Sequence, residues 1–239
     1  MQPPAYFLPR PPLDPSPTTR AAFAEIYAEA VRSGHGQAVD YTPAAPKWHF
    51  LSWLCDTQDV LLHGSGNPSI REFAPRKSDD LNEFGDRQAV YAASDGIWPI
   101  YFAIVDRDRF VRSLNNACFR VLGPAGTRSD PYYFFSIDDD ALPHQPWRVG
   151  TIYIVPRAGF TQQPSASYRG MAVEIAQWAS PTPVRPLAHL TVGPADFPFL
   201  TQVRGHDMAV VSQRAERDPQ GFPWVDEDDY GVSSVEQDG

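Results

Sequence analysis

Hydrophobic residues recur at helical spacing in the first quarter of the chain. They occupy positions i, i+3, i+4, i+7 and i+8 of one buried helix face: Phe23, Ile26, Tyr27, Ala30 and Val31. Ser16 followed by Pro17 is typical of an N-cap and a first-turn proline, and Gly34 ends the pattern. A second helix is predicted over Pro46–Thr57, where tryptophan, leucine and cysteine can share one face.

Beyond residue 58 the pattern changes to short runs rich in aromatic and β-branched residues, which are typical of strands. The predicted strands are Asp59–His63, Ala89–Ala93, Pro131–Ile137, Val149–Val155, Met171–Ala179 and Pro186–Val192. The apolar run Ile97–Val105 fits either a buried helix or a strand, and Pro99 in its first turn favours a helix. Two helices followed by a strand-rich body predict an α+β fold.

A proline-rich stretch at one end of the chain and an acidic stretch at the other predict one domain with two extensions. Residues 1–15 are rich in proline and form an arm that either lies on the domain or is disordered. Residues 16–213 form the domain, with a helical lead-in over 16–58 and a core over 59–198. Residues 214–239 form a polar, acidic tail, loosely held except where Phe222 and Trp224 can dock.

Composition narrows the partners and the compartment. The net charge of −9 and a pI near 5.0 argue against nucleic acid or an anionic membrane as the main partner, because both require a basic face. Cys55 and Cys118 form no CxxC motif and are expected to be free thiols in a reducing cytoplasm. No run approaches about 18 consecutive apolar residues. The N-terminus also lacks a basic start followed by an apolar stretch, so we expect neither a membrane span nor a secretion signal.

One predicted strand ends in the sequence His63-Gly64-Ser65-Gly66. A histidine at the end of a buried strand is commonly structural. Glycines, however, let a backbone approach a flat ligand closely because they carry no Cβ. The imidazole, the backbone groups of Gly64 and the hydroxyl of Ser65 could therefore grip a ribose hydroxyl and a carboxamide together.

Two tyrosines follow, Tyr91 in a predicted strand and Tyr101 in the apolar segment. They are either two core tyrosines with satisfied hydroxyl groups or the stacking walls of a site for a flat heterocycle.

The order of HGS, a loop containing FG, the sequence VYAASD and an aliphatic segment with a tyrosine resembles the ADP-ribosyltransferase superfamily. The resemblance is closest to the His-Tyr-Glu branch, which includes the poly(ADP-ribose) polymerases and the diphtheria-type toxins, and it covers about residues 59–198. It implies a split β-sandwich with N-terminal helices and a site for NAD. By this resemblance His63 binds the adenine-side ribose, Gly64 clasps the nicotinamide carboxamide beside Ser65, and Tyr91 and Tyr101 sandwich nicotinamide.

The third motif of that branch, a glutamate followed by an aromatic residue on a late strand, departs from the pattern. Gln177-Trp178 stands in its place, and Glu174 lies three residues earlier. Alternation along a strand directs Glu174 away from the face of Gln177 unless a bulge intervenes. A neutral amide keeps a hydrogen bond to the ribose but removes the negative field that stabilises an oxocarbenium-like transition state.

Basic residues in the loop between the first two motifs, Arg76 among them, either pair with the pyrophosphate of NAD or form an ordinary charged surface. No residue spacing indicates a metal site.

Three functions follow from these observations. The first is an enzyme that transfers ADP-ribose from NAD to a protein, a nucleic acid or a small molecule and releases nicotinamide. The second is an inert binding module of the same fold. The third is an enzyme similar to the RNA 2′-phosphotransferases, which the acidic charge disfavours.

Overall fold

The computed structural model describes residues 2–34, 36–77 and 83–225. Its helices are α1 (Pro17–Arg32), α2 (Lys47–Thr57), α3 (Trp98–Ile104) and α4 (Met208–Arg217). Its strands are β1 (Leu8–Pro9), β2 (Gln37–Ala38), β3 (Val60–Ser65), β4 (Val90–Ala93), β5 (Leu114–Val121), β6 (Tyr132–Asp138), β7 (Gly150–Pro156), β8 (Thr161–Gln162), β9 (Ala166–Tyr168), β10 (Met171–Ile175), β11 (Gln177–Ser180), β12 (Ala188–Val192) and β13 (Arg204–His206).

The helices predicted from periodicity are present. The hydroxyl oxygen of Ser16 caps α1 by accepting a hydrogen bond from the backbone N–H of Thr19, and Phe23 and Ala30 lie buried on its inner face. The segment around Pro99 is helical, as its position in the first turn predicts. The α+β class is therefore confirmed.

The described strands form two sheets. The sheet that carries His63, called sheet 1, has the order β2-β12-β7-β3-β4-β11-β8. Sheet 2 has the order β1-β6-β5-β10-β9, and β13 runs parallel to β6 along the part of its edge that β1 does not occupy. A core of buried residues from both sheets, α1, α2 and α3 fills the interior.

The single strand predicted over Met171–Ala179 is two strands in two different sheets. The chain leaves sheet 2 after β10 and joins sheet 1 at β11. Ala176 joins the sheets: its N–H donates to the carbonyl of Cys118 at 3.1 Å, and its carbonyl accepts from the N–H of Ser94 at 2.9 Å. Backbone hydrogen bonds thus hold the two sheets together at this crossing.

Helix α3 lies directly on the backbone of sheet 1, which two glycines permit. A Cβ at Gly64 would collide with the carbonyl oxygen of Pro99, and one at Gly150 would collide with the carbonyl oxygen of Ala103. Both residues are therefore required to be glycine by the close approach of helix and sheet.

The N-terminal arm and the chain after α4 pack together on sheet 2. Tyr6 and Phe7 are buried there, and the ring of Phe7 stacks on that of Phe222 with centroids 6.2 Å apart. The docking predicted for Phe222 is thus confirmed, whereas residues 226–239 of the predicted tail lie outside the described residues. The domain boundaries stay predictions.

Strand β5 and helix α4 were not predicted. Their sequences mix polar and apolar residues. Among the described residues of α4, Val211 is the only one that is buried.

Both cysteines are free thiols. Among the described residues, each helix is either too short or too polar to cross a bilayer.

Candidate functional site

The residues of the three motifs come from three neighbouring strands of sheet 1. Strand β3 carries His63, β4 carries Tyr91, and β11 begins with Gln177. In the ladder, Leu62 pairs with Ala93, and Ala93 pairs on its other side with Gln177. The chain thus brings His63, Tyr91 and Gln177 into one region of the sheet.

The imidazole of His63 bridges β3 and β4. Its Nδ1 lies 2.6 Å from the carbonyl oxygen of Tyr91. Because a carbonyl only accepts, Nδ1 carries the proton in the neutral ring, and Nε2 is left as a hydrogen-bond acceptor. Burial lowers the pKa of His63, although the bond to Tyr91 acts in the opposite direction. The geometry therefore favours a neutral histidine with an acceptor at Nε2.

Alternation along the strands divides the motif residues between the two faces of sheet 1. His63 contacts Phe73, with ring centroids 4.5 Å apart, on the face where Leu61 is buried. Tyr91 and Gln177 occupy diagonal positions on the opposite face, which α3 covers. Among the described residues, β3 and β4 form one ladder pair, Leu62 with Ala93. His63 lies directly after this pair, where the two strands separate.

Tyr101 does not lie beside His63. It is 0% exposed, its hydroxyl donates to the carbonyl of Ser136 at 2.8 Å, and its ring packs 4.8 Å from that of Phe135. The interpretation of Tyr101 as a stacking wall of a nicotinamide slot is therefore wrong. Helix α3 packs on Gly64 through Pro99. Tyr101 lies on a different face of the same helix and therefore points into the core toward sheet 2.

The aromatic ring of α3 that reaches the surface is that of Phe102. It is partly exposed and contacts Trp98, with centroids 5.9 Å apart. Phe102 lies one turn after Pro99 and directly before Ala103, the two residues whose backbones contact Gly64.

Tyr91 is held by residues 84–87, which precede β4. Its hydroxyl lies 2.9 Å from the carbonyl oxygens of Phe84 and Arg87 and accepts from the N–H of Arg87 at 2.9 Å. Its ring packs with Phe84, Ala89 and Ala179. These hydrogen bonds of Tyr91 thus hold residues 84–87 against sheet 1.

Ser65 and Gly66 shape the turn after β3. The hydroxyl of Ser65 accepts from the N–H of Asn67 at 3.1 Å. A Cβ at Gly66 would overlap the guanidinium of Arg148, which pairs with Asp106 at 3.6 Å and with Asp108. Arg148 lies beside the candidate site, and no spacing in the sequence indicates this, since it reaches Gly66 only through the pairing of β7 with β3.

Gln177 lies in sheet 1, whereas Glu174 belongs to sheet 2. The carboxylate of Glu174 pairs with Arg128 at 3.0 Å. Glu174 therefore does not supply the negative charge that Gln177 lacks.

Arg76 is exposed, and its backbone exchanges two hydrogen bonds of 3.1 Å with Ala89. The structure places it at the start of the loop that ends at Tyr91, with its side chain turned outward.

A polar cluster on sheet 2 was also missed by sequence reasoning. The hydroxyl of Ser113 lies 2.6 Å from Oδ1 of Asp138 and 2.9 Å from Nε2 of His206, whose Nδ1 is 2.8 Å from the hydroxyl of Ser136. The N–H groups of Arg112 and Ser113 bind the other carboxylate oxygen. These bonds tie β13 to the sheet, and their donors are all satisfied internally.

Models of protein families, curated proteins and solved structures were compared with this chain, and none of them matches it. In the described parts of the chain, histidine, cysteine and carboxylate side chains form no group of three or more that could hold a metal ion.

Proposed function

We propose that this protein binds NAD at the end of β3 and acts as an ADP-ribosyltransferase-like enzyme. The observation that carries the proposal is the acceptor at His63 Nε2, fixed by the bond from Nδ1 to the carbonyl of Tyr91. An acceptor held in this way suits a ribose hydroxyl, which can donate to it.

The arrangement of strands supports the same proposal. Gly64 brings a bare backbone to the place where β3 and β4 part, directly after His63. In the proposed complex the ribose of the dinucleotide contacts His63 on the face of sheet 1 where Leu61 is buried.

In the proposed reaction the bond between nicotinamide nitrogen and ribose C1′ breaks, and the electron pair leaves with nicotinamide. The acceptor nucleophile forms the new bond to C1′ and releases its proton to solvent. Gln177 lies on the face of sheet 1 opposite His63 and is neutral, so it offers no negative charge to the cationic transition state. Turnover is therefore expected to be slow.

A second candidate function is binding of NAD or ADP-ribose without transfer. The observation that favours it is the neutral side chain at Gln177, together with the ion pair that holds Glu174 in the other sheet. The two candidates share the ligand and differ in whether nicotinamide is released.

Isothermal titration with NAD tests the shared claim. We expect binding by the wild-type chain and at least about tenfold weaker binding by His63→Asn, a loss of about 1.4 kcal/mol. Asparagine places an N–H close to the position of Nδ1, so the bond to Tyr91 can persist while the Nε2 acceptor is lost. His144→Asn, at an exposed histidine stacked on Phe110, is the control and should bind NAD normally.

The absence of heat at millimolar NAD, or equal affinity of wild type and His63→Asn, would contradict the proposal. Nicotinamide release, followed by chromatography in the same samples, then separates the enzyme from the binding module.

A further inference from the structure

Trp178 lies on the same face of sheet 1 as His63. It pairs with Ala92 in the ladder of β11 and β4, and it packs against the buried cluster that contains Leu61 and Ala92. The register of β3 on β4 places Ala92 opposite His63. His63 and Trp178 therefore flank Ala92 on one face of the sheet, whereas Gln177 lies on the other face.

The residue between these two side chains is small. Ala92 contributes only a methyl group, and both His63 and Trp178 are partly exposed. Neighbouring strands lie about 4.8 Å apart, so two strand spacings separate β3 from β11 by about 10 Å. A nucleoside matches this separation, because its base is joined directly to its ribose. The histidine can hold the ribose while the indole contacts the base.

The indole of Trp178 is fixed in orientation and carries a cation beside it. Its Nε1 donates to the hydroxyl of Ser94 at 3.1 Å. The guanidinium carbon of Arg157 lies 5.2 Å from the centroid of the indole ring. Aromatic rings and guanidinium planes are the groups on which proteins stack nucleic-acid bases.

Arg157 is also placed to bind a phosphate. Its Nε lies 3.3 Å from Oδ1 of Asp59, and the side chain of Asp59 is 84% exposed. An ion pair with so exposed a partner is weak, so a phosphate can replace the carboxylate. Guanidinium groups bind phosphate oxygens through two parallel hydrogen bonds.

We propose that Trp178 stacks on the heterocyclic base carried by the ribose at His63, and that Arg157 binds the phosphate of the same nucleotide. This inference rests on the proposed function, because it starts from a ribose at His63. It adds a site for the base on β11, the strand that shares this face of the sheet with β3.

Three probes test the inference by titration: adenosine monophosphate, nicotinamide mononucleotide and ribose 5-phosphate, which carries no base. We expect the wild-type chain to bind at least one of the nucleotides at least about tenfold more tightly than ribose 5-phosphate, a difference of about 1.4 kcal/mol. The nucleotide with the larger ratio identifies the base that Trp178 takes, adenine or nicotinamide.

Trp178→Leu keeps an apolar side chain but removes the ring, so this ratio of affinities should fall to about one. Trp224→Leu is the matched control and should keep the ratio of the wild type. Trp224 is likewise partly exposed, its Nε1 donates to the carbonyl of Asp218 at 2.7 Å, and its ring contacts Phe222 on sheet 2.

Trp178→Phe keeps an aromatic ring and tests the stacking even if the leucine variant does not fold. A bound base should quench the indole fluorescence of the wild type. The quenching should be lost in Trp178→Phe, which still binds the nucleotide.

Arg157→Gln tests the phosphate contact. It should weaken the binding of adenosine monophosphate by about tenfold and leave the binding of adenosine unchanged. Equal affinities of wild type and Arg157→Gln for adenosine monophosphate would remove Arg157 from the site.

The inference is overturned if the probes with and without a base bind equally, if their ratio survives in Trp178→Leu, or if quenching persists in Trp178→Phe. In each of these cases, binding of NAD that is lost in His63→Asn leaves the proposed function standing. The absence of NAD binding by the wild type would remove both.

Discussion

The Nδ1 atom of His63 and the carbonyl oxygen of Tyr91 lie 2.6 Å apart, so a side chain joins β3 to β4 just beyond their last registered pair. This bond has two consequences. It completes the connection between strands that part at this point, and it fixes Nε2 as an acceptor. Structure and proposed chemistry therefore depend on the same histidine.

Gly64→Ala is predicted to destabilise the fold. The added methyl group would collide with the carbonyl oxygen of Pro99, and neither α3 nor β3 can move without disturbing the core. Overpacking of this kind costs roughly 1–3 kcal/mol. Urea unfolding should show a lower midpoint with an unchanged slope. Gly193→Ala is the matched control, because Gly193 has φ −128° and open space at its Cβ position, and equal midpoints for the two variants would disprove the packing argument.

Tyr133→Phe is predicted to destabilise the link between α3 and sheet 2. The hydroxyl of Tyr133 donates to Oδ2 of buried Asp95 at 2.7 Å, while Oδ1 accepts from the N–H groups of Ile97 and Trp98. Removal of a hydrogen bond to a charged group costs about 1.5–3 kcal/mol. In a double-mutant cycle with Asp95→Asn, we expect a coupling energy well above zero, and additive effects would show that the pair does not interact.

Stability is predicted to fall as the pH drops below neutrality. Burial lowers the pKa of both His63 and His206 from 6.5, against the opposing effect of the Tyr91 bond and of nearby aspartates respectively. The unfolded chain therefore binds protons at a pH where the folded chain does not, and stability rises with pH in that window. Each histidine contributes a slope of up to about 1.4 kcal/mol per pH unit.

Urea unfolding at about pH 7.5 and about pH 5.5 measures this slope, which spans the unperturbed histidine pKa. The slope should be smaller in His63→Asn and in His206→Asn than in the wild type. A wild-type stability that does not change between the two pH values would contradict the assignment of both histidines as neutral in the fold.

Gln177→Glu is predicted to leave the rate of nicotinamide release unchanged. The side chain lies on the face of sheet 1 opposite His63, so a carboxylate there does not reach C1′ of a ribose bound by His63. A carboxylate at the reacting carbon would instead be worth on the order of 100-fold in rate. Release is measured by chromatography with NAD in excess. Glu174→Gln in sheet 2 is the control and should also leave the rate unchanged, whereas a large increase in Gln177→Glu alone would place that side chain at the reacting carbon and contradict this account.

Much of the secondary structure could be predicted because local rules determine it. The Ser16 cap, the apolar periodicity of α1 and the position of Pro99 each specify a helix without reference to the rest of the chain. The strands around His63 and Tyr91 follow in the same way from their β-branched and aromatic residues.

The orientation of α3 could not be predicted. One residue is about 100° of rotation on a helix of 3.6 residues per turn. The run IWPIYFAIV is apolar on every side, so no polar face indicates whether Tyr101 or Phe102 reaches the surface. The contact of Pro99 with Gly64 decides it, and that contact joins residues 35 positions apart in the sequence.

The division of β10 from β11 and the burial of Gln163 are also tertiary effects. The backbone of Ala176 changes partners from one sheet to the other, and alanine carries no signal for such a change. Gln163 is polar in sequence and buried in the fold because β8 pairs with β11.

The most direct test of the proposed site is the ¹⁵N resonance of His63 Nε2 as NAD is added. We expect a neutral ring with the proton on Nδ1 in the free protein. NAD should shift the Nε2 signal in the direction of an accepted hydrogen bond while the Nδ1 proton stays in place. A ring protonated on Nε2, or an Nε2 signal that does not move at millimolar NAD, would contradict the account.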